Sequence, residues 1–182
     1  RARKAWYIVI IVCSLPIVYL FGVRGMAFFL VPSESMEPTL QSGDYIATLK
    51  ESDYYRGDII VLKDPTQKGA FLVKRIAGIA GDTVKIEGGA LYINGGYASE
   101  PYIKEPPIYT MKQAVTVQRG QVFVLGDNRN HSEDSSMWDR ASNGIDPTVP
   151  LSSVVGRVWF RYLPFSRMGP IAWFPLTNAA GE

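Results

Sequence analysis

The sequence predicts a mostly β protein: an N-terminal transmembrane helix, then antiparallel β-sheet folded into a barrel or sandwich, with a smaller β region inserted in it. Three observations predict it. An uncharged apolar run separates Lys4 from Arg24. From Tyr45 onward helical periodicity is nearly absent, and Gly-Asp pairs repeatedly precede runs of β-branched or aromatic residues. The 17 glycines and 12 prolines are spread along the chain, which suits many short strands and turns.

The apolar run reads "AWYIVIIVCSLPIVYLFGV". As a helix, residues 6–23 would span roughly 27 Å, close to the hydrocarbon thickness of a bilayer. Trp6 and Tyr7 at one end, and Tyr19 and Phe21 toward the other, suit interfacial anchoring. Pro16 is tolerable in a membrane helix. Arg1, Arg3 and Lys4 before the run predict a short cytoplasmic tail (1–5), a single-pass anchor (6–23) and an exported domain (24–182). A cleaved signal peptide would show a shorter core and a small-x-small cleavage site, and "FGVRGMAFF" offers no convincing one. The following "GMAFFLV" is too short to span and reads as a strand, lying either against the bilayer surface or in the core.

The net charge of +2 comes from that basic flank. From Arg24 onward 16 Lys and Arg face 17 Asp and Glu, so the domain has no electrostatic footprint for nucleic acid. Cys13 is the one cysteine, which rules out an intrachain disulfide, and with His131 as the one histidine it makes no typical zinc site. No metal or organic cofactor is expected.

The strand signals come in order: Gly43-Asp44 before "YIATL", Gly57-Asp58 before "IIVL", Gly81-Asp82 before "TVKI", Gly120-Gln121 before "VFVL", and finally "VVGRVWFRY". "GGALYINGG" adds a hairpin with glycine turns. Residues 86–117, rich in Pro, Tyr and Gly, look like an inserted satellite region.

Chemistry enters with "PSESMEPTL", two serines and a methionine held between Pro32 and Pro38 just beyond the apolar run. A serine hydroxyl is a poor nucleophile until an adjacent base takes its proton. His131, in "GDNRNHSEDSS", would allow a Ser-His-Asp triad, although it sits among turn-forming polar residues where a solvated histidine is the default. A lysine serves instead if burial lowers its pKa from about 10.4. Strand alternation gives Lys74, in "AFLVKRIAGIAG", the same-face neighbours Leu72 and Ile76, whereas Lys85 alternates with Thr83 and Glu87 and reads as solvated. Lys74 is therefore either a desolvated base or a lysine snorkelling from a half-buried strand. Arg75 points to the other face and cannot deprotonate.

"PSESMEPTL", "LVKRIAGIAGDTV" and "GDNRNHSEDSS", in that order after an anchor, resemble bacterial type I signal peptidase, a Ser-Lys leader peptidase. "GDIIVL" and "GRVWFRYLPFSRMG" extend the likeness to about Gly169. The resemblance implies Ser35 as nucleophile and Lys74 as general base. It further implies that Ser33 helps form the oxyanion hole with the Ser35 N–H, and that Ser132 orients the lysine. Met36, Arg75, Asp127 and Asp134 fall in the same motifs as supporting residues. Two positions depart from the pattern: Ser136 stands where arginine is frequent, and Asn130 where aspartate is common. The implied partners are signal peptides of exported preproteins and membrane lipids, for a monomer acting without nucleic acid. The implied site is the outer face of a plasma membrane, with a thylakoid membrane as the alternative.

Three other readings compete. A self-cleaving Ser-Lys protease, like the repressors of the DNA-damage response, would be soluble. A specialised peptidase maturing pilus or conjugation subunits would share every motif. An inactive membrane-tethered β module would bind peptides without needing both Ser35 and Lys74.

Overall fold

The computed structural model describes residues 25–141 and 145–176, together with positions 12, 14, 15, 19 and 22. The expected tail and most of the expected anchor lie outside the described residues. Among those described, no helix is long and apolar enough to cross a membrane.

Among the described residues, twelve strands form two antiparallel sheets. β1 (Ala27–Leu30), β2 (Tyr45–Leu49), β3 (Ile59–Lys63) and β4 (Phe71–Ile79) belong to the larger one. So do β9 (Gln121–Leu125), β10 (Val149–Pro150), β11 (Val154–Leu163) and β12 (Gly169–Pro170). Its order is β1-β2-β11-β3-β4-β9-β10, with β12 on β11. Among the described residues this sheet is open, edged by β1 and β10, rather than closed by hydrogen bonds into a barrel. β11 inserts between β2 and β3, so the sequence-distant C-terminal strand ties the first hairpins together.

The smaller sheet has the order β7-β6-β5-β8. It comprises β5 (Thr83–Glu87), β6 (Ala90–Ile93), β7 (Gly96–Tyr97) and β8 (Val115–Thr116). Asn94 and Gly95 both take positive φ in the β6–β7 turn, the primed-turn geometry that matches strand twist. Alternation along β5 and β6 buries Val84, Ile86, Leu91 and Ile93 at the sheet's inner face. They pack with Ala77, Phe123 and Leu125 of the larger sheet, so the two sheets share a core. Each such fully buried side chain contributes about 1.5–3 kcal/mol. Lys85 lies on the outer face and pairs with Glu87 at 2.6 Å.

Two further cores cover the two faces of the larger sheet. One gathers Val31, Met36, Leu40, Ile46, Val61 and Val73, the other Ile60, Leu62, Ile76, Val124 and Trp138. β1, "AFFL", alternates between the two faces. Phe29 joins the first core, while Phe28 and Leu30 are about half exposed.

One element corrects the sequence reading. A short helix, α1 (Ser135–Ala141), follows the polar "HSED" turn where no helical period was visible. Seven residues are too few to show one. Its start is set by Asp134, whose Oδ1 accepts the Ser136 N–H at 3.1 Å as an N-cap.

Candidate active site

β4 carries Lys74 into the centre of the larger sheet. Its register pairs Lys74 with Ile60 on β3, and Ile76 with Val124 on β9. Period-two alternation therefore sets the ammonium stem among Ile60, Leu72 and Ile76, all members of or packed on one apolar cluster. Lys74 is 2% exposed. Burial holds its pKa below the ordinary lysine value, against the opposing pull of the carboxylates of Asp134, Asp64, Glu133 and Asp127. Among the described residues it has no ion pair. Lys74 is thus desolvated rather than snorkelling to solvent.

Lys74 Nζ lies 2.9 Å from Ser35 Oγ and donates to Val73 O at 3.0 Å. The serine is held by its loop. Met36 is fully buried in the core below, and Leu40 N–H returns to Met36 O at 2.9 Å. Glu37 N–H closes a turn on Glu34 O at 3.0 Å. The loop's base is fixed by Asp44, whose carboxylate accepts from Gln41 N–H, Arg161 and Arg167. Burial pushes Asp44 upward, and those donors outweigh it and hold its pKa below the usual carboxylate value. Ser33, exposed, donates to Ser35 Oγ at 3.3 Å.

The segment after β9 closes over this loop. Gly126 is what lets it approach, since a Cβ there would sit 2.3 Å from Ser132 Oγ and 2.6 Å from Ser35 O. Asp134 Oδ2 accepts Gly126 N–H at 2.9 Å, which fixes the spacing between the Gly126 turn and the start of α1. Ser132 Oγ is buried beside Gly126 with no hydrogen-bond partner among the described residues, so the orienting bond to Lys74 that the resemblance implies is not made in this structure. Ser136, standing where arginine is frequent, donates its hydroxyl to Asp134 Oδ1 at 2.8 Å and contacts Tyr109 OH at 2.9 Å. Asn130, the other departure, spans to Glu105 and Pro106 O with Nδ2, and its Oδ1 accepts Ile108 N–H. His131 is exposed.

On the opposite face of β4, Arg75 binds Asp127 with two parallel bonds, at 2.8 and 2.7 Å. Both side chains are sealed, at 1% and 0% exposure. Arg75 also donates to Gly57 O, and its guanidinium stacks 3.9 Å from the centre of the Tyr102 ring. A second buried pair, Arg129 with Glu100, lies nearby, and Arg129 Nε donates to Gly126 O. Sequence reasoning did not find Arg129, Glu100, Tyr102 or Asn128. The first three act through partners 27–29 residues away or more, which no local pattern reveals. Asn128 was visible only as the third letter of "GDN".

The space above Ser35 and Lys74 therefore holds a hydroxyl, an amine without a counter-ion and further hydroxyls. That arrangement suits acyl transfer. Among the described residues no group of His, Cys, Asp and Glu has metal-binding geometry.

Comparison with known protein sequences points the same way. A family model described as signal peptidase, peptidase S26, matches residues 3–163. A probable signal peptidase I-1 from Synechocystis sp. is 38% identical over 160 residues, covering 82% of this chain and 77% of that protein. A signal peptidase I from Leptolyngbya laminosa is 36% identical over 172 residues, covering 87% and 80%. Among solved structures, a signal peptidase I from Enterococcus faecalis matches with a TM-score of 0.46 at 31% identity, covering 58% of this chain and 97% of that one.

Proposed function

The chain belongs to the signal peptidase family, peptidase S26, a family of serine endopeptidases, and we propose that it removes N-terminal signal peptides from exported preproteins with Ser35 as nucleophile and Lys74 as general base. The 2.9 Å approach of Lys74 Nζ to Ser35 Oγ, with that lysine buried and without a carboxylate partner among the described residues, carries the assignment. A lysine whose pKa is lowered by desolvation is a better proton acceptor for a serine than an exposed one.

In acylation, Ser35 Oγ bonds to the carbonyl carbon before the scissile bond while its proton passes to neutral Lys74. The resulting oxyanion is met by the Ser35 N–H and by the Ser33 hydroxyl, which rotates away from Ser35 Oγ to reach it. Lys74 then gives the proton to the leaving amine, and the C–N bond breaks. In deacylation Lys74 takes a proton from water, whose oxygen attacks the ester, and returns it to Ser35. Ser132 orients the lysine through a bond that forms as the base moves, from a hydroxyl already buried and unpartnered. Asp134, Arg75, Asp127 and Met36 fix the surrounding backbone.

The location belongs to the same proposal. Residues 6–23 anchor the chain in a membrane, N-terminus cytoplasmic, with the β domain at the exported face. The half-exposed Phe28 and Leu30 on β1, directly after the apolar run, support a domain resting on that surface. Cleavage of a preprotein with an Ala-x-Ala site in detergent micelles tests the function. Wild type should cut, and Ser35→Ala and Lys74→Ala should not. Equal cutting by either variant would end the dyad assignment.

A further inference from the structure

Asn128 is fully buried and makes two contacts with the nucleophile loop. Its backbone N–H donates to Ser35 O at 3.0 Å, and its side-chain Nδ2 donates to Glu34 O at 3.2 Å. These two carbonyls belong to the peptide units on either side of Ser35. A residue whose two flanking peptide planes are both held has its φ and ψ fixed. The second bond has a further consequence. In a trans peptide the C=O and N–H point in opposite directions, so anchoring Glu34 O aims the Ser35 N–H away from Asn128. A hydrogen bond to the carbonyl also polarises the amide and strengthens that N–H as a donor.

The side-chain oxygen gives an independent pointer. Asn128 Oδ1 is buried with no hydrogen-bond partner among the described residues. An unpaired buried acceptor is a cost that an apolar side chain would avoid. Exchanging the amide's two ends would set its oxygen against Glu34 O, so the orientation is dictated by the donor. What the position retains at that cost is the Nδ2 bond.

We propose that Asn128 is a positioning residue for oxyanion stabilisation, acting through the Glu34–Ser35 peptide plane to aim and strengthen the Ser35 N–H. The inference rests on the Ser35 and Lys74 roles proposed above and adds a group that touches neither substrate nor base.

The test uses the full chain in micelles and compares wild type, Asn128→Ala, Asn128→Asp, Ser33→Ala and the Asn128→Ala/Ser33→Ala double variant. Turnover of an Ala-x-Ala preprotein is measured together with inhibition by a peptide aldehyde ending in alanine. That aldehyde adds Ser35 Oγ to its carbonyl carbon, so its oxygen occupies the oxyanion position without a leaving group. Asn128→Ala and Asn128→Asp should each lower kcat about 10–100-fold with KM within about twofold. The aldehyde should weaken by a similar factor. Because both residues serve one oxyanion, Ser33→Ala should cost less in the Asn128→Ala background than in wild type.

A rise in KM with kcat unchanged would overturn the proposal. So would an unchanged aldehyde affinity, or independent multiplication of the two losses. Thermal unfolding accompanies each variant. Should Asn128→Ala not fold, Asn128→Asp, which keeps the size and the backbone bond, carries the same comparison. Turnover persisting in Lys74→Ala would instead count against the dyad, independently of the Asn128 result.

Discussion

Lys74 and Arg75 are consecutive on β4 and both are sealed from solvent, yet of the two only Arg75 has a carboxylate partner among the described residues. Strand alternation sends the arginine to Asp127 and the lysine into apolar surroundings. One buried charge is satisfied by its partner, and the other is relieved by a pKa that burial holds below the ordinary lysine value.

That relief predicts a pH-dependent stability. The folded-state pKa of Lys74 lies below its unfolded value of about 10.4. Between the two values the unfolded chain binds more protons, so stability rises with pH across that window and is lowest on its acid side. Lys74→Met removes the penalty. It should melt above wild type, by a margin greatest on the acid side and shrinking as pH approaches about 10. Melting curves of both proteins from about pH 6 to 10 check this; a margin independent of pH would contradict it.

Arg75 and Asp127 predict the opposite kind of effect. Asp127→Ala strands a buried guanidinium and should cost about 3–5 kcal/mol in urea unfolding. Glu87→Ala breaks a solvent-exposed pair with Lys85 and should cost about 0–1 kcal/mol. Similar losses for the two would mean that Arg75 finds another partner or water.

Much of this architecture was legible because it is local. The Gly-Asp punctuation marked the starts of β2, β3, β5 and, in its Gly-Gln form, β9. Alternation alone set Lys74 among apolar neighbours and Lys85 among polar ones, and left burial against snorkelling to be decided by packing. What was not legible is set by contacts across long stretches of chain. The insertion of β11 between β2 and β3 is one case, and the joining of Arg75 to Asp127, 52 residues apart, is another. The unpartnered state of Ser132 also needed coordinates, because it depends on how closely Gly126 lets two loops approach.

Gly126→Ala tests that approach. The added methyl would meet Ser132 Oγ and the Ser35 carbonyl at less than 3 Å, and part of the second contact is backbone, which cannot rotate away. Displacing Ser35 by a fraction of an ångström to 1 Å should lower kcat about 100-fold. A kinetic comparison at saturating substrate reads it directly, and kcat within about twofold of wild type would show that the loops have room to part.

Ser136→Ala removes the hydroxyl contacts to Asp134 and Tyr109 while Asp134 keeps its two backbone donors. Stability should fall by about 1–3 kcal/mol, with kcat changed only a few-fold. Loss of activity without loss of stability would assign Ser136 a direct part in the reaction.

The most direct measurement of the central claim is the pH dependence of kcat/KM for wild type, Lys74→Arg and His131→Ala. If neutral Lys74 is the base, wild-type activity climbs as pH passes upward through a lysine pKa depressed by burial, and His131→Ala follows the same curve. Lys74→Arg should be inactive at every pH, because a guanidinium keeps its proton. Turnover by Lys74→Arg, or a limb of the pH profile that His131→Ala abolishes, would contradict the account and move the base to the histidine.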